Sequence, residues 1–402
     1  MIVLISILAI LFPIFSLPII VLCMFFEKNI RKKKFYCIIF SVVISFITYI
    51  YIPNDTMDLH RYYVFMDSLK NFNLMDFMQE YLFNAEPLMN FIFYIFAKTN
   101  DNHLIMIFVT LFSYYVHFYI IFDYQSEKKL SNSKFNVVLL FFISIFLIQS
   151  LTGIRFMIAK TVFFLALYFD FYKNKRDIIT IFLYILPIFI HQSSIILLLF
   201  RVLMLLNHNK IDYKFLLLFI IIFISPSIIL NLSETISSNS SIFSLLNQRA
   251  SSYLNEGNTA ANIYKLQFSL LIFLILTCTY IKLKKISVNK PMYSFLIIMV
   301  FISLFFSSSL TISTRFITIS ALYAILFLMD IEEGLSNKKQ LLLLLIISAF
   351  SVMYITYQFI TLSNASYPGI FQFSLAYSVI SVIFLIIIYF INTKKSVVLF
   401  DE

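Results

Sequence analysis

The chain has 402 residues, of which 61% are hydrophobic and 12% are charged, against roughly 25% charged residues in an ordinary soluble domain. The apolar residues come in long runs separated by short clusters of Lys, Asn and Ser, which predicts membrane-spanning helices. The net charge of +10 does not indicate nucleic acid here, because the basic residues cluster in short segments, as the positive-inside rule expects of cytoplasmic loops. We therefore expect an integral membrane protein with no nucleic-acid partner.

The first apolar run, residues 2–26, predicts one retained helix, because no basic segment precedes it and no small-residue cleavage site follows it. Residues 27–34 then carry five Lys and Arg residues, which predicts a cytoplasmic loop and an external N terminus. A second span over residues 35–52 returns the chain to the outer face.

Residues 53–85 are predicted to be an external segment. From residue 62 to residue 83 the apolar residues recur at spacings of three and four, which predicts an amphipathic helix in the outer interface. Residues 86–97 form an apolar run that is too short for an ordinary span. Because residues 85 and 123 are expected on opposite faces, with one full span between them, we interpret residues 86–97 as a re-entrant or half-buried helix.

The rest of the chain is predicted to alternate between spans and loops. The spans are residues 103–122, 135–149, 155–172, 178–190, 193–206, 215–230, 263–281, 293–307, 315–329, 341–360 and 371–391. The later external segments are 191–194, 231–262, 308–314 and 361–370, and the cytoplasmic loops are 123–134, 173–177, 207–214, 282–290, 330–339 and 392–402. The predicted fold is all-α: a polytopic transmembrane bundle of about 12–14 spans that forms a single membrane domain over residues 1–402.

Several basic residues lie outside the predicted cytoplasmic loops, so another force must hold them in place. Arg155 is the clearest case, since it opens an apolar run just after Gly153, one of only four glycines. A guanidinium near hydrocarbon is costly unless it sits at a wet membrane edge or faces an anionic partner. The remaining basic residues of this group are Arg61, Lys70, Lys98, Lys160, Arg201, Arg249, Lys265 and Arg315.

Arginine suits phosphate binding because its planar fork is always charged and donates parallel hydrogen bonds. The arginines expected at external helix ends or in external loops are Arg61, Arg155, Arg249 and Arg315. Together they could bind a diphosphate carried on a membrane lipid and stabilise it as a leaving group, with Lys160 deeper in the span as a further substrate contact. The alternative is that each arginine pairs with a carboxylate such as Asp55, Asp58 or Glu86, or reaches lipid headgroups.

His191 stands at a predicted external bend, beside Gln192. A neutral imidazole there could accept a proton from a sugar hydroxyl, because its reference pKa lies close to neutrality. The alternative is a polar cap for the bend.

The first external segment contains Asp55, Asp58 and His60 at a spacing that is loose for a metal site. No second cluster supports such a site, so we expect no metal. The carboxylates are instead expected to orient Arg61 or to bind sugar hydroxyls. Tyr62 could stack on a sugar ring, or belong to the aromatic belt of the membrane interface.

Nucleotide-binding motifs rich in glycine are missing from the sequence. Neither GxxxxGK[ST] nor GxGxxG occurs among the four glycines. We therefore expect neither an ATP-driven transporter nor a glycosyltransferase that uses sugar nucleotides, and we expect no cofactor.

Five short motifs occur in a characteristic order. They are NDTMDLHRYY from residue 54, NAEPLMNFIFYIFAKTNDN from residue 84, TGIRFMIAKTVFFLALYF from residue 152, IHQSSIILLLF from residue 190 and TRFITISALY from residue 314. In this order the chain resembles the EpsG family of Wzy-type polysaccharide polymerases, over about residues 50 to 330.

The resemblance implies an enzyme of the bacterial inner membrane that acts at the outer face. It would join glycan repeat units carried on undecaprenyl diphosphate, moving the growing glycan onto the acceptor hydroxyl of a new lipid-linked unit. Such a transfer needs no nucleotide, because arginines can offset the charge that builds on the departing diphosphate. The expected partners are the lipid-linked oligosaccharide, membrane lipid, a flippase and a chain-length regulator.

By position, the resemblance assigns roles to particular residues. Arg155 and Arg315 match the helix-start arginines of the family, His191 matches its external histidine, and Asp58 with Arg61 matches its first-loop motif. Phe156 stands where a Gln commonly follows the arginine. Two other functions stay open on the sequence: a ligase that moves finished glycan to another acceptor, and a flippase for the lipid-linked unit.

Overall fold

A computed structural model of the chain describes residues 2–53, 58–82, 86–128, 153–206, 289–305 and 315–324, and residues 272, 275 and 326 individually. Within these ranges the regular structure is helical and contains no strand, which confirms the all-α prediction. The predicted spans 135–149, 215–230, 341–360 and 371–391 and the long loop 231–262 lie outside the described residues, as does most of 263–281.

The helices are named in chain order. They are α1 (Ile2–Leu11), α2 (Pro13–Phe26), α3 (Ile30–Tyr49), α4 (Asp58–Leu69), α5 (Leu74–Phe77) followed by a π-helical turn (Met78–Leu82), α6 (Pro87–Ala97), α7 (Leu104–Lys128), α8 (Ile154–Phe171), α9 (Ile178–Ile190), α10 (Ser194–Leu206) and α11 (Lys290–Phe305). A further helix, α12, covers residues 315–324.

The first apolar run is two helices rather than the single helix predicted for residues 2–26. The chain breaks at Phe12, whose backbone leaves the helical region (φ −138°, ψ 67°), and α2 starts at Pro13. Proline restricts the residue before it to extended conformations and has no N–H to donate, so it begins a helix more readily than it continues one. The one-helix prediction was therefore wrong at this point.

The predicted amphipathic helix over residues 62–83 is also divided. It forms α4, α5 and the π-helical turn, with a break between Leu69 and Leu74. The Asn73 side chain caps α5 by accepting from the N–H of Asp76 at 2.9 Å. Lys98 donates to the carbonyls of Lys70 at 2.7 Å and Phe72 at 2.5 Å. The break therefore exposes backbone acceptors that the cation satisfies.

Two predicted loops are partly helical. Helix α3 begins at Ile30, inside the predicted loop 27–34, because the Asn29 side chain caps it by accepting from the N–H of Arg31 at 2.9 Å. Helix α7 continues to Lys128, inside the predicted loop 123–134. By contrast, α8, α9 and α10 begin and end within about one residue of the predicted spans, close to the precision with which helix ends can be defined.

The chain divides into two compact units, residues 1–196 with 328–402 and residues 197–327. In the first unit the helices pack in the order α2, α3, α7, α8 and α9, and α6 contacts both α4 and α9. Polar bonds join these neighbours, for example Thr48 to Thr110 between α3 and α7 at 3.0 Å. In the second unit Phe295 of α11 packs edge-to-face on Tyr323 of α12, with ring centroids 5.1 Å apart.

Helix α7 is the one described helix that is both long enough and apolar enough to cross a bilayer. Helices α6, α9, α10 and α11 are apolar but shorter. The short helix predicted at residues 86–97 is confirmed as α6, while its placement in the membrane and the number of spans stay predictions.

Candidate active site

Glu86 lies at the centre of the site. It directly precedes Pro87, the first residue of α6. The proline restricts Glu86 to a non-helical backbone (φ −138°, ψ 65°), and its own carbonyl accepts the first helical bond from the N–H of Asn90 at 2.9 Å. Its side chain does not cap α6. The carboxylate is therefore available to residues that come from other helices.

Arg155 binds one oxygen of this carboxylate. Gly153 adopts a left-handed conformation (φ 68°, ψ 54°), which glycine reaches without strain, and α8 starts at the next residue. Arg155 then lies in the first turn, where its Nη1 donates to Glu86 Oε2 at 2.5 Å. Charge-assisted bonds of this kind are among the stronger protein hydrogen bonds.

His191 and the backbone of Gln192 bind the other oxygen. His191 ends α9, with its N–H donating to the carbonyl of Pro187 at 2.8 Å, so that its ring leaves the helix. The ring nitrogen Nδ1 lies 2.8 Å from Glu86 Oε1, and the N–H of Gln192 donates to the same oxygen at 3.2 Å. Glu86 thus bridges the start of α8 and the end of α9.

Tyr62 completes the site from α4. Its hydroxyl accepts from Arg155 Nε at 2.9 Å, and the guanidinium carbon lies 4.8 Å from the centre of its ring. The ring also packs on Phe93 of α6, with centroids 5.3 Å apart, so α4 and α6 hold it in place together. Burial raises the pKa of Tyr62 and outweighs the opposing effect of Arg155, so the hydroxyl stays neutral.

The carboxylate of Glu86 is buried and remains ionised. Burial alone would raise its pKa, but the hydrogen bond from His191, the charge of Arg155 and the N–H of Gln192 outweigh burial and lower the pKa below its usual value. Only 10% of the Glu86 side chain and 11% of the His191 side chain are exposed, against 34% for Arg155. Of these three side chains, Arg155 is therefore the most accessible to a ligand.

Phe156 lies between the site and the deeper cation. Its ring contacts His191 edge-to-face, with centroids 5.8 Å apart, and Lys160 Nζ lies 5.7 Å from its centre. Lys160 is buried. Phe156 thus contacts both the histidine of the site and the buried Lys160.

The other predicted site residues fall in different places. Asp58 and Arg61 form an ion pair with each other on the first turn of α4, with side chains 44% and 69% exposed. Arg315 begins α12 in the second unit and is partly exposed. Asp55 and Arg249 lie outside the described residues. For these five residues, for Lys160 and for the residues around Glu86, a role in catalysis or substrate binding stays a prediction.

Glu86 is the site residue to which the sequence assigned no functional role. It was considered only as one of three carboxylates that could pair with an arginine, and for Arg155 that pairing is what the structure shows. Its contacts with Arg155 and His191 span 69 and 105 positions. The available signal was an acidic residue directly before a proline that opens a short apolar run.

Comparison with known families places this site within a matched region. The model of the EpsG family matches residues 53–375, which includes Tyr62, Glu86, Arg155, His191 and Gln192. Comparison with curated proteins and with solved structures gave no match. The match covers well over half of the chain and confirms the resemblance carried by the five motifs. The chain therefore belongs to the EpsG family, a family of membrane-associated polysaccharide polymerases.

Proposed function

We propose that the protein is a glycosyltransferase that polymerises lipid-linked glycan repeat units at the outer face of the bacterial inner membrane. It would transfer the growing glycan from undecaprenyl diphosphate to the acceptor hydroxyl of a new lipid-linked unit. The observation that carries this proposal is the Glu86 carboxylate, which holds a cation suited to a diphosphate and an imidazole suited to a hydroxyl side by side.

In this mechanism His191 is the general base. The ionised Glu86 accepts from the Nδ1–H of the neutral ring, which fixes the tautomer and leaves Nε2 as the nitrogen that takes the proton. As the acceptor oxygen bonds to the anomeric carbon of the donor, its proton passes to Nε2. Glu86 then stabilises the imidazolium, as the carboxylate of a catalytic triad does.

Arg155 assists the departure of the leaving group. The bond between the anomeric carbon and the diphosphate oxygen breaks, and the electron pair stays with undecaprenyl diphosphate. Arg155 uses Nη1 for Glu86 and Nε for Tyr62, so its guanidinium plane is fixed before substrate binds. The remaining N–H donors can then bind phosphate oxygens in a preorganised geometry, which favours the transition state.

The other predicted cations extend this proposal. Arg315 would contribute a second guanidinium to the diphosphate, as the resemblance implies for a helix-start arginine. Arg61, Arg249 and Lys160 would contact phosphate or sugar groups, and Asp55 and Asp58 would shape the first external segment. Replacing Arg315 with Lys tests whether the planar fork matters in addition to the charge.

The proposal is tested with a strain that lacks the gene and is complemented with variants. Glycans and lipid-linked intermediates are separated on a gel after expression of the wild type, Arg155→Ala, His191→Ala and the control Arg176→Ala. Arg176 binds Asp170 at the opposite end of α8. We expect single repeat units at the outer face and no ladder for the first two variants, and a full ladder for the control.

Other patterns would contradict a polymerase. Repeat units trapped at the inner face of the deletion strain would indicate a flippase. Full-length polymer that stays on its lipid carrier would indicate a ligase. A normal ladder from Arg155→Ala, with the protein present in the membrane, would remove Arg155 from the mechanism.

A further inference from the structure

A groove between α3 and α7 is separate from the active-site group. It encloses about 650 Å³ and is lined from α3 by Lys34, Cys37, Ile38 and Ser41 and from α7 by residues including Tyr115, Tyr119 and Phe122. Its walls are apolar even where they contain serines. Ser41 donates to the carbonyl of Cys37 and Ser126 to that of Phe122, both at 2.8 Å. The hydroxyls are thus satisfied within their own helices.

The charge at the groove lies at one end. Lys34 Nζ is 5.5 Å from the centre of the Phe122 ring, and both residues line the groove. The acidic residue of the wall, Asp123, is already bound by Lys173 at 2.6 Å and by the Tyr168 hydroxyl at 2.5 Å. Lys173 also binds Glu127, so Asp123 shares this cation with a second acid, and Lys34 is the cation that lines the groove itself.

The same end carries further exposed cations. Lys28, Arg31 and Lys32 precede Lys34 at the start of α3 and are all exposed, while Glu27 accepts from the N–H of Asn29 at 2.9 Å. Clusters of basic residues beside a membrane helix attract anionic lipid headgroups, at about 1 kcal/mol per residue. An apolar groove with one cationic mouth matches an amphiphile that has one anionic end.

We propose that this groove binds an anionic phospholipid of the leaflet at the Lys34 end, with its phosphate on Lys34 and one acyl chain beside Ile38 and Tyr119. From Lys34 to Ser41 the α3 wall rises by about 10 Å. That is within one leaflet of a hydrocarbon core about 30 Å thick. The site is distinct from the substrate site and does not depend on the reaction.

The composition of the chain offers a direct test, because it contains no Trp. A single Trp placed by Tyr119→Trp reports on the groove, and one placed by Ile181→Trp, at an exposed position of α9, reports on ordinary lipid contact. Each variant is reconstituted in vesicles of phosphatidylcholine and phosphatidylglycerol, in which one of the two lipids is brominated. Quenching of Trp fluorescence by each brominated lipid gives the relative affinity at that position.

At Tyr119→Trp we expect phosphatidylglycerol to bind about fivefold more tightly than phosphatidylcholine. One basic residue contributes about 1 kcal/mol to the binding of an anionic lipid, and about 1.4 kcal/mol corresponds to a tenfold change in affinity. At Ile181→Trp we expect a ratio near one. Adding Lys34→Ala should abolish the preference, whereas adding Lys175→Ala should not. Lys175 lies over the Phe169 ring but does not line the groove.

Three results would overturn the proposal. One is equal quenching by the two lipids at Tyr119→Trp in protein that elutes as a single species with native helicity. Another is a preference that survives Lys34→Ala. The third is relief of quenching by undecaprenyl phosphate at a near-equimolar ratio to protein, which would assign the groove to the carrier lipid instead.

Discussion

Glu86→Gln isolates the role of the carboxylate charge, because the two oxygens of Glu86 have different partners. Oε1 accepts from both His191 and Gln192, whereas Oε2 accepts from Arg155 alone. A glutamine at this position keeps two hydrogen bonds when its amide oxygen takes the place of Oε1, but only one when it takes the place of Oε2. Its NH2 group then faces Arg155 Nη1, donor against donor. The variant should therefore keep the histidine in place and displace the arginine.

The expected loss follows from the bonds that change. A hydrogen bond between charged groups contributes about 1.5–3 kcal/mol, which corresponds to a loss of roughly ten- to a hundredfold at 1.36 kcal/mol per tenfold. The neutral amide also stabilises the imidazolium less, and loss of the carboxylate in a catalytic triad costs up to about 10⁴ in rate. We expect the polymerisation rate of Glu86→Gln to fall by about a hundredfold or more.

The assay is elongation by purified protein in liposomes, with lipid-linked repeat units extracted from the deletion strain. Ladder length is followed against time, with Glu80→Gln as the matched control. Glu80 is an exposed acid in the π-helical turn, six positions before Glu86, and its variant should elongate within twofold of the wild type. Wild-type elongation by Glu86→Gln, in protein with unchanged helicity, would refute the reasoning.

Three further predictions concern the same group of residues. Tyr62→Phe removes the acceptor for Arg155 Nε but keeps the ring, so the guanidinium is less fixed and kcat should fall severalfold, with little change in KM for the lipid substrate, in steady-state kinetics. Gly153→Ala places a side chain at φ 68° with open space around it, so urea unfolding should show a loss of about 1 kcal/mol, and Gly153→Asn, which tolerates this conformation, a smaller one. Because the folded-state pKa of Glu86 lies below its ordinary value of 4.5, its stabilising contribution is present above that value and is lost as the pH falls through the folded pKa. Thermal midpoints measured from about pH 7 to about pH 3 should therefore fall less for Glu86→Gln than for the wild type, and equal falls would contradict the assignment.

Much of the fold could be predicted from local signals. The apolar runs of α8, α9 and α10 end at charged or polar clusters, and their observed bounds follow those clusters closely. The errors arose where a single side chain decides the backbone. Pro13 divides the first run, and Asn29 starts α3 inside a basic segment that hydropathy assigns to a loop. Such capping effects act over one or two residues, and hydropathy averaged over a whole span does not show them.

The site could be predicted only in part. The sequence points to Arg155 and His191, because a cation at the start of an apolar run and a histidine at a bend both need an explanation, and the structure brings both side chains to Glu86. Glu86 was not assigned a function, because an acid before a proline reads as an ordinary helix start. Its importance comes from α6 packing on α9 and from the ion pair with Arg155 at the start of α8, and contacts between residues so distant in sequence depend on packing that no local pattern specifies.

The net charge of Arg155, Glu86 and His191 together explains why further arginines matter to the proposed mechanism. With His191 neutral, Arg155 and Glu86 cancel, so the group alone does not offset a diphosphate. A second guanidinium such as Arg315 would supply the missing charge for substrate binding. When the acceptor proton reaches His191, the group gains one positive charge at the moment when negative charge builds on the leaving diphosphate. On this reasoning, Arg315→Ala should weaken binding of the lipid diphosphate itself, whereas His191→Ala should leave binding intact and slow the transfer. Binding measured in the absence of acceptor separates the two roles, and equal losses of affinity would contradict this division.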